Sequence, residues 1–311
     1  MSGLLHHVFA SGFFHSSVVR TALIVGGLVA VVSAIVGVFT VLRGQSFAGH
    51  AFGDIGTTGG SGAALVGIGP LWGFVIAGVA AAAVMELIGI QRARGRDLAT
   101  GVVLGAALGL AALFLYLDTT SSSTTGATLT ILFGSIFAIT TSTIPLVIAL
   151  SAIAVGIVVL LYRPLMLSSV SPELAAARRV PVRIVGLLYL LALAVAVALA
   201  ALTIGSILST ALLIGPAATA LRLTKTPARA MLAAATIALA ITWVSVVLAY
   251  DSFGWPPAGN GWPVSFFVVA LVLAVYLLSG VAELVRSRST ERAASRPSVP
   301  GDDTTAGLLA G

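Results

Sequence analysis

The stretch IVGLLYLLALAVAVALAALTIGSILSTALLIGPAATAL, residues 184–221, contains no charged side chain. As one helix rising about 1.5 Å per residue, it would be nearly twice as long as the roughly 30 Å hydrocarbon core of a bilayer. A run of this length therefore predicts two membrane-spanning helices. We predict a tight turn between them near Thr203–Ser206.

The composition of the whole chain supports a membrane protein. The chain is 59% hydrophobic, has a mean hydropathy of +1.12 and is only 8% charged, whereas soluble domains carry about 25% charged residues. These values exclude a single soluble core and predict an all-α, polytopic helical bundle in lipid. Cysteine is absent, which excludes disulfides, thiolate metal sites and a cysteine nucleophile. The net charge of +6 does not indicate a nucleic-acid partner.

Uncharged segments of about 20 residues, enough to cross a bilayer, recur along the chain. Besides 184–221 they cover 21–42, the two parts of 55–85 around a break near Gly67–Pro70, 98–117, a run from about Ile144, 230–250 and 264–284. We predict about eight or nine spans. An eight-span arrangement requires the glycine-rich second segment or the LFGSI segment, which begins at Leu132, to be re-entrant.

The basic residues set the predicted orientation. Lys and Arg group at Arg43, 92–96, 163–183, 222–229 and from Arg286 onward. With nine crossings and an external N-terminus, all these groups lie in the cytoplasm, as the positive-inside rule requires, and only Arg20 lies outside. The predicted organisation is an N-terminal lead segment (1–18), a transmembrane domain (19–285) and a disordered, cytoplasmic C-terminal tail (286–311), which is polar and rich in Ser, Pro, Asp and Thr.

Two ionisable residues, His50 and Asp54, lie in the apolar segment FAGHAFGDIGTTGGSGAALVG, residues 47–67. Ionisable side chains inside a bilayer are costly and mark pathways or sites. Four residues apart on a helix, these two share a face, and imidazole and carboxylate are ligands of divalent transition metals. The alternatives are a hydrogen-bonded pair that holds two spans together, or a position at the membrane interface. Asp118, at the outer end of the fourth span, is either a cation-attracting residue or a simple span-end charge.

The predicted cytoplasmic loop RPLMLSSVSPELAAARRVPVR, residues 163–183, contains a short helix. Ser171 is an N-cap residue, Pro172 stands at the first helical position and Glu173 is an acid in the first turn. A capped loop helix of a transporter can dock on a separate ATPase subunit, and the alternative is an ordinary interfacial helix.

Five segments resemble, in order, the permease subunits of bacterial zinc/manganese/iron ABC importers. ALLIGPAATALRL (211–223) is similar to their ALLI-PAA-A signature, with Gly215, Pro216, Ala217 and Ala218 at its centre, and TIGSILSTALL precedes it. VLRGQSFAGHAFGD (41–54) resembles the segment after their first span, and LFGSIFAI (132–139) resembles their LFG-I-A motif. SPELA resembles their coupling helix, which implies an ATPase contact formed by Ser171, Pro172, Glu173, Leu174, Ala175, Arg178 and Arg179.

The chain departs from the family pattern at the ionisable pair. The family has Asp first and His four residues later, whereas here His50 precedes Asp54. The family's Pro-Gly is Thr58-Gly59, followed by GSG. Because glycine destabilises a helix interior by about 1 kcal/mol, we expect this run to loosen the helix. Arg179 also replaces a common glycine, and Ser171 a common aspartate.

The resemblance implies a homodimeric permease in the bacterial plasma membrane that moves zinc, manganese or iron and holds no permanent cofactor. An external metal-binding protein would deliver the ion. No GxxxxGK[ST] phosphate-binding loop occurs, so ATP hydrolysis is expected in a separate chain and the permease is not an enzyme. Three rivals are a permease for a metal chelate such as a siderophore or cobalamin, an intramembrane hydrolase using His50, Asp54 and Ser61, and a secondary transporter.

Overall fold

The computed structural model describes residues 13, 15–87, 93–122, 125–255 and 261–294, and within these ranges every regular element is a helix. This confirms the all-α prediction. The helices are α1 (Ser17–Leu42), α2 (Ser46–Leu65), α3 (Pro70–Leu87), α4 (Ala93–Ser122), α5 (Thr125–Phe133), α6 (Ile144–Leu160), α7 (Tyr162–Val170), α8 (Pro172–Ala177), α9 (Val182–Ile204), α10 (Ser209–Leu223), α11 (Pro227–Asp251) and α12 (Val264–Ala294), with 3-10 turns at Ile136–Ala138, Thr141–Thr143 and Ser252–Gly254.

Several helices are long and apolar enough to cross a bilayer. In the described part of the chain these are six, and they lie at Ser17–Leu42, Gly101–Thr120, Thr141–Leu160, Val182–Ile204, Pro227–Gly254 and Val264–Val281. Two shorter apolar helices lie at Pro70–Glu86 and Ser209–Leu223. The protein is therefore a multi-pass membrane protein, whereas the count of eight or nine spans stays a prediction. The helix α12 runs to Ala294, past residue 286, the predicted start of the tail. Residues 295–311 lie outside the described residues.

Both predicted breaks between adjacent helices are present. The first helix of the 184–221 stretch ends at Ile204 and the next begins at Ser209, so the turn falls at the predicted place. The helices α2 and α3 are separated by residues 66–69, which matches the break predicted near Gly67–Pro70. The helical hydrogen-bond ladder stops at each break, and a short turn reverses the chain.

The LFGSI segment is not a span. The helix α5 has 9 residues, about 14 Å at 1.5 Å per residue, and irregular backbone follows it. The last turn of α5 contacts the turn between α9 and α10, where the backbone N–H of Ser206 donates a hydrogen bond of 3.1 Å to Ile131 O. Gly134 and Gly205 face each other there with φ of +73° and +90°. A β-carbon on either glycine would collide with the backbone of the segment that carries the other. Only glycine therefore fits at these two positions. Such irregular backbone is tolerated inside a membrane protein when it is buried in protein.

The helices α1 and α9 form the centre of the bundle. In the most apolar stretch of each of these two helices, 72% of the residues are buried. The corresponding shares are 17% for α4 and 22% for α6. The helix α2 packs against α3, α4, α9 and α10. Side chains of the outer helices, such as Leu110 and Val159, are exposed apolar groups, which is the arrangement that a lipid environment favours. The fold thus places α2, the bearer of the ionisable pair, against the central helices.

Candidate functional site

The imidazole of His50 and the carboxylate of Asp54 meet on one face of α2. His50 Nε2 lies 3.4 Å from Asp54 Oδ2, and the side chains are 47% and 14% exposed. The other ring nitrogen, Nδ1, lies 3.3 Å from the Oγ1 of Thr210 at the start of α10. A hydrogen bond to one ring nitrogen fixes the tautomer and the orientation of the imidazole. The pair therefore forms a partly exposed polar site, and the imidazole of His50 contacts the neighbouring helix α10.

The start of α10 and the turn before it pack closely against α2 beside the pair. A β-carbon on Gly53, one residue before Asp54, would lie 2.9 Å from Ser209 Oγ and 3.0 Å from the carbonyl oxygen of Ser206. The Oγ of Ser206 is buried and has no hydrogen-bond partner among the described residues. Sequence reasoning noted the TIGSILSTALL segment only as a family motif and missed Thr210, because periodicity along one helix does not identify a partner on another.

The described part of the chain contains no cluster of three or more His, Cys, Asp and Glu side chains that could hold a metal ion. One chain could therefore offer an ion these two side chains and no third His, Cys, Asp or Glu within the described ranges. Asp118 is a buried carboxylate, 4% exposed, and no hydrogen bond or ion pair of the described residues connects it to His50 or Asp54. Its Oδ2 makes no hydrogen bond within the described ranges.

The glycine-rich run after the pair does not loosen α2, which is continuous from Ser46 to Leu65, so this expectation was wrong. The reason is packing. A β-carbon on Gly59 would strike the backbone of Gly73 in α3, and one on Gly60 would lie 2.8 Å from the ring of Phe74. The glycines let α2 and α3 approach closely, as small residues do in membrane helices, and this contact offsets their poor helix propensity.

Ser61 does not face the pair as the hydrolase alternative requires. Its side chain is fully buried, and its hydroxyl lies 2.7 Å from the carbonyl oxygen of Thr57 and 3.1 Å from that of Thr58. The hydroxyl thus bonds to its own helix, two turns beyond Asp54. These bonds leave no serine–histidine contact for nucleophilic catalysis.

The predicted loop helix is α8. The Oγ of Ser171 accepts a hydrogen bond of 3.2 Å from the backbone N–H of Leu174, which is the N-cap geometry. The helix begins at Pro172 and has Glu173 in its first turn. Ala175 is buried against the rest of the protein. Among the remaining members of the predicted contact, the exposed residues are Glu173, Leu174, Arg178 and Arg179.

The end of α8 contains the one non-glycine residue of the described chain with positive φ, Arg179 at +58°. Its N–H donates to Ala176 O and the N–H of Val180 donates to Ala175 O, which is a Schellman motif that glycine normally completes. The position is therefore one that the backbone geometry favours for glycine, the residue common in the family.

The family-signature residues pack helices together. Gly215 stands where a β-carbon would collide with Val272 of α12, and Pro216 and Ala217 are buried in α10. Ala218 is partly exposed. The signature therefore builds a close contact between α10 and α12, away from the ionisable pair.

Glu86 pairs across the bundle. Its Oε1 accepts a hydrogen bond of 2.9 Å from Nε of Arg183, which joins the end of α3 to the first turn of α9. The ion pair is a helix-end contact and involves no residue of the His50–Asp54 site.

Apolar spanning helices, an ionisable pair on α2 and a capped loop helix are together typical of a membrane transport protein. The chain belongs to the ABC 3 transport family, whose model matches residues 15–280. It is 31% identical over 209 residues to the manganese transport system membrane protein MntC of Halalkalibacterium halodurans, with 67% of this chain and 70% of that protein covered. To MntC of Listeria monocytogenes it is 28% identical over 243 residues, with coverages of 78% and 85%.

A solved structure has the same fold. The chain superposes on PsaBC from Streptococcus pneumoniae, determined in complex with Fab, with a TM-score of 0.73 and 24% identity. The match covers 88% of this chain and 94% of that one. The family and the named relatives, together with this fold, make the protein a permease of the ABC transporter type, a transport subunit rather than an enzyme.

Proposed function

We propose that this chain is the permease subunit of an ATP-driven importer for a divalent transition metal, and that His50 and Asp54 line the path of the ion. The observation that carries this proposal is the imidazole–carboxylate pair on α2. Its nitrogen and oxygen atoms lie 3.4 Å apart and the pair is partly exposed, in a chain that belongs to this transporter family. Zinc, manganese and iron all accept these ligands. The names of the relatives favour manganese as the ion carried.

The role of the pair is transient binding. A transported ion must bind strongly enough to enter and weakly enough to leave, and a partly exposed pair of side chains suits this better than a closed, buried cage. A second copy of the chain would double the ligands to four near a dimer axis. The hydroxyl of Thr210, at the start of α10, adds an oxygen atom beside His50.

The proposed partners rest on the absence of a GxxxxGK[ST] motif from the sequence and on the exposed side chains of α8. A cytoplasmic ATPase pair would bind the exposed side chains of α8, and its closure on ATP would move this helix. A metal-binding protein would deliver the ion from outside. The distribution of Lys and Arg supports a multi-pass protein of the bacterial plasma membrane whose C-terminus is cytoplasmic.

The test is uptake of manganese, zinc and iron into vesicles that hold the permease reconstituted with its ATPase. We expect ATP-dependent uptake by the wild type, and its loss in His50→Ala and in Asp54→Ala at unchanged expression. His15→Ala and Glu283→Gln change one exposed histidine and one exposed carboxylate elsewhere and should transport normally. Normal uptake by both site variants would show that the pair is not part of the path.

A further inference from the structure

The helix α7, which leads into α8, is seated on the last turn of α1. At its start, the ring of Tyr162 meets Phe39 edge to face, with centroids 5.8 Å apart. Near its end, the Oγ of Ser168 accepts a hydrogen bond of 2.9 Å from Nη1 of Arg43. Leu165, between them, is fully buried. The contacts at both ends fix α7 to the C-terminal end of α1.

Arg43 also contacts the central helix α9. Its guanidinium lies over the ring of Tyr189, 5.3 Å from the centroid, and such cation–π contacts strengthen when they are desolvated. The hydroxyl of the buried Tyr189 bonds to Thr40 Oγ1 over 2.7 Å. A single arginine thus contacts α7 and α9 from the end of α1, and the tyrosine under it is itself held by α1.

The backbone of Arg43 belongs to the turn that starts α2. Gly44, with φ of +63°, donates to Val41 O, and Gln45 donates to Thr40 O, which completes a Schellman motif. The helix α2 follows at Ser46. A tight, fully hydrogen-bonded turn of this kind leaves little freedom between the two helices, so a displacement of Arg43 displaces the start of α2.

We propose that Arg43 is a positioning residue that transmits movement from the α7–α8 segment to α2, and thereby to His50 and Asp54. Ser168 lies three residues before Ser171, the N-cap of α8. A shift of α8 would therefore pull on Ser168, and its bond to Arg43 would carry the shift to the α1–α2 turn. The inference rests on the proposed function, because it takes α8 as the ATPase contact and the pair as the ion site.

The experiment compares metal transported per ATP hydrolysed in vesicles holding the complex. In Arg43→Lys, which keeps the charge but loses the planar fork, and in Ser168→Ala, we expect this ratio to fall at least about fivefold, the low end of measured couplings between sites. Metal binding should stay at the wild-type level. The double variant should fall no further, because both changes break one link.

A matched control is present in the same chain. Arg222 also stacks on a tyrosine, Tyr276, 4.1 Å from the ring centroid, and also bonds to its hydroxyl. This pair joins α10 to α12 and does not contact α7. Arg222→Lys should therefore leave the ratio of metal to ATP unchanged. A wild-type ratio in Arg43→Lys and Ser168→Ala would overturn the inference, and so would a proportional fall of uptake and hydrolysis with a lower melting temperature.

A second measurement does not depend on metal uptake. The chain has no cysteine, so paired labels can be placed at exposed positions by Ala176→Cys on α8 or Phe47→Cys on α2, each with Leu277→Cys on α12. In the complex, addition of ATP should change both distances. Arg43→Lys should keep the change at α8 and lose that at α2. Retention of both changes, or the absence of movement at α2 in the wild type, would overturn the inference. Failure of wild-type metal uptake alone would count against the proposed function instead.

Discussion

A β-carbon on Gly73 would occupy the space of the Gly59 carbonyl oxygen, so α2 and α3 touch backbone to backbone at this pair of glycines. The contact lies one turn and a half beyond Asp54 on the same helix. This contact keeps α2 continuous although its glycine content would otherwise weaken the helix.

Replacement of Gly59 by alanine should therefore destabilise the protein. The added methyl group forces α2 and α3 apart, an overpacking effect that typically costs about 1–3 kcal/mol. The measurement is thermal unfolding in detergent. Gly156→Ala is the matched control, because nothing lies within 4 Å of a β-carbon there, and it should be neutral or stabilising. Equal melting temperatures for Gly59→Ala and wild type would contradict the assignment of this contact.

The hydroxyl of Thr210 should matter for metal affinity, because it holds the imidazole of His50 through Nδ1. Loss of an outer partner of a metal-binding histidine typically weakens affinity about 10–100-fold. We expect this for Thr210→Val, measured by metal titration of the purified complex, and near-normal affinity for Thr210→Ser. Thr219→Val removes a hydroxyl that bonds only within α10, to Gly215 O, and should have no effect. Wild-type affinity in Thr210→Val would show that the contact is incidental.

Exchange of the two site residues tests whether the reversed order matters. The double variant His50→Asp with Asp54→His keeps one imidazole and one carboxylate one turn apart on the same face. We expect it to regain uptake that each single alanine variant loses, with an altered preference among manganese, zinc and iron. Because His50 is the more exposed of the two, the exchange moves the carboxylate to the open position. A double variant as inactive as the single ones would mean that the order itself is required.

Glycine in place of Arg179 should stabilise the turn that ends α8. The left-handed conformation of Arg179 costs a non-glycine residue about 1–2 kcal/mol, which corresponds to roughly 5–30-fold in an equilibrium. In Arg179→Gly, hydrogen exchange of the Val180 amide, which closes the motif, should slow by a factor of this order. Arg178→Gly is the control, because Arg178 has an ordinary φ of −84° and gains nothing. Faster exchange in Arg179→Gly would show that the arginine side chain itself holds the turn.

Local patterns were enough for much of the fold and for part of the site. The apolar runs and the length limit of a bilayer predicted the helical class and the turn after Ile204, and the Ser171-Pro172-Glu173 sequence predicted the start of α8. The spacing of His50 and Asp54 predicted that they share a face. Each of these features depends on residues within a few turns of one another, where propensity, capping and periodicity act.

Contacts between helices decided the continuity of α2 and the partners of the site residues. The glycines of α2 suggested a weakened helix in sequence, yet α3 supplies at Gly73 the partner that keeps it straight. Thr210 and Arg43 could not be identified from the sequence as partners of His50 and Ser168, since 160 and 125 residues separate these pairs. Hydropathy and spacing describe one helix at a time. Which side chain stands opposite, and what a glycine touches, is decided only when the helices pack.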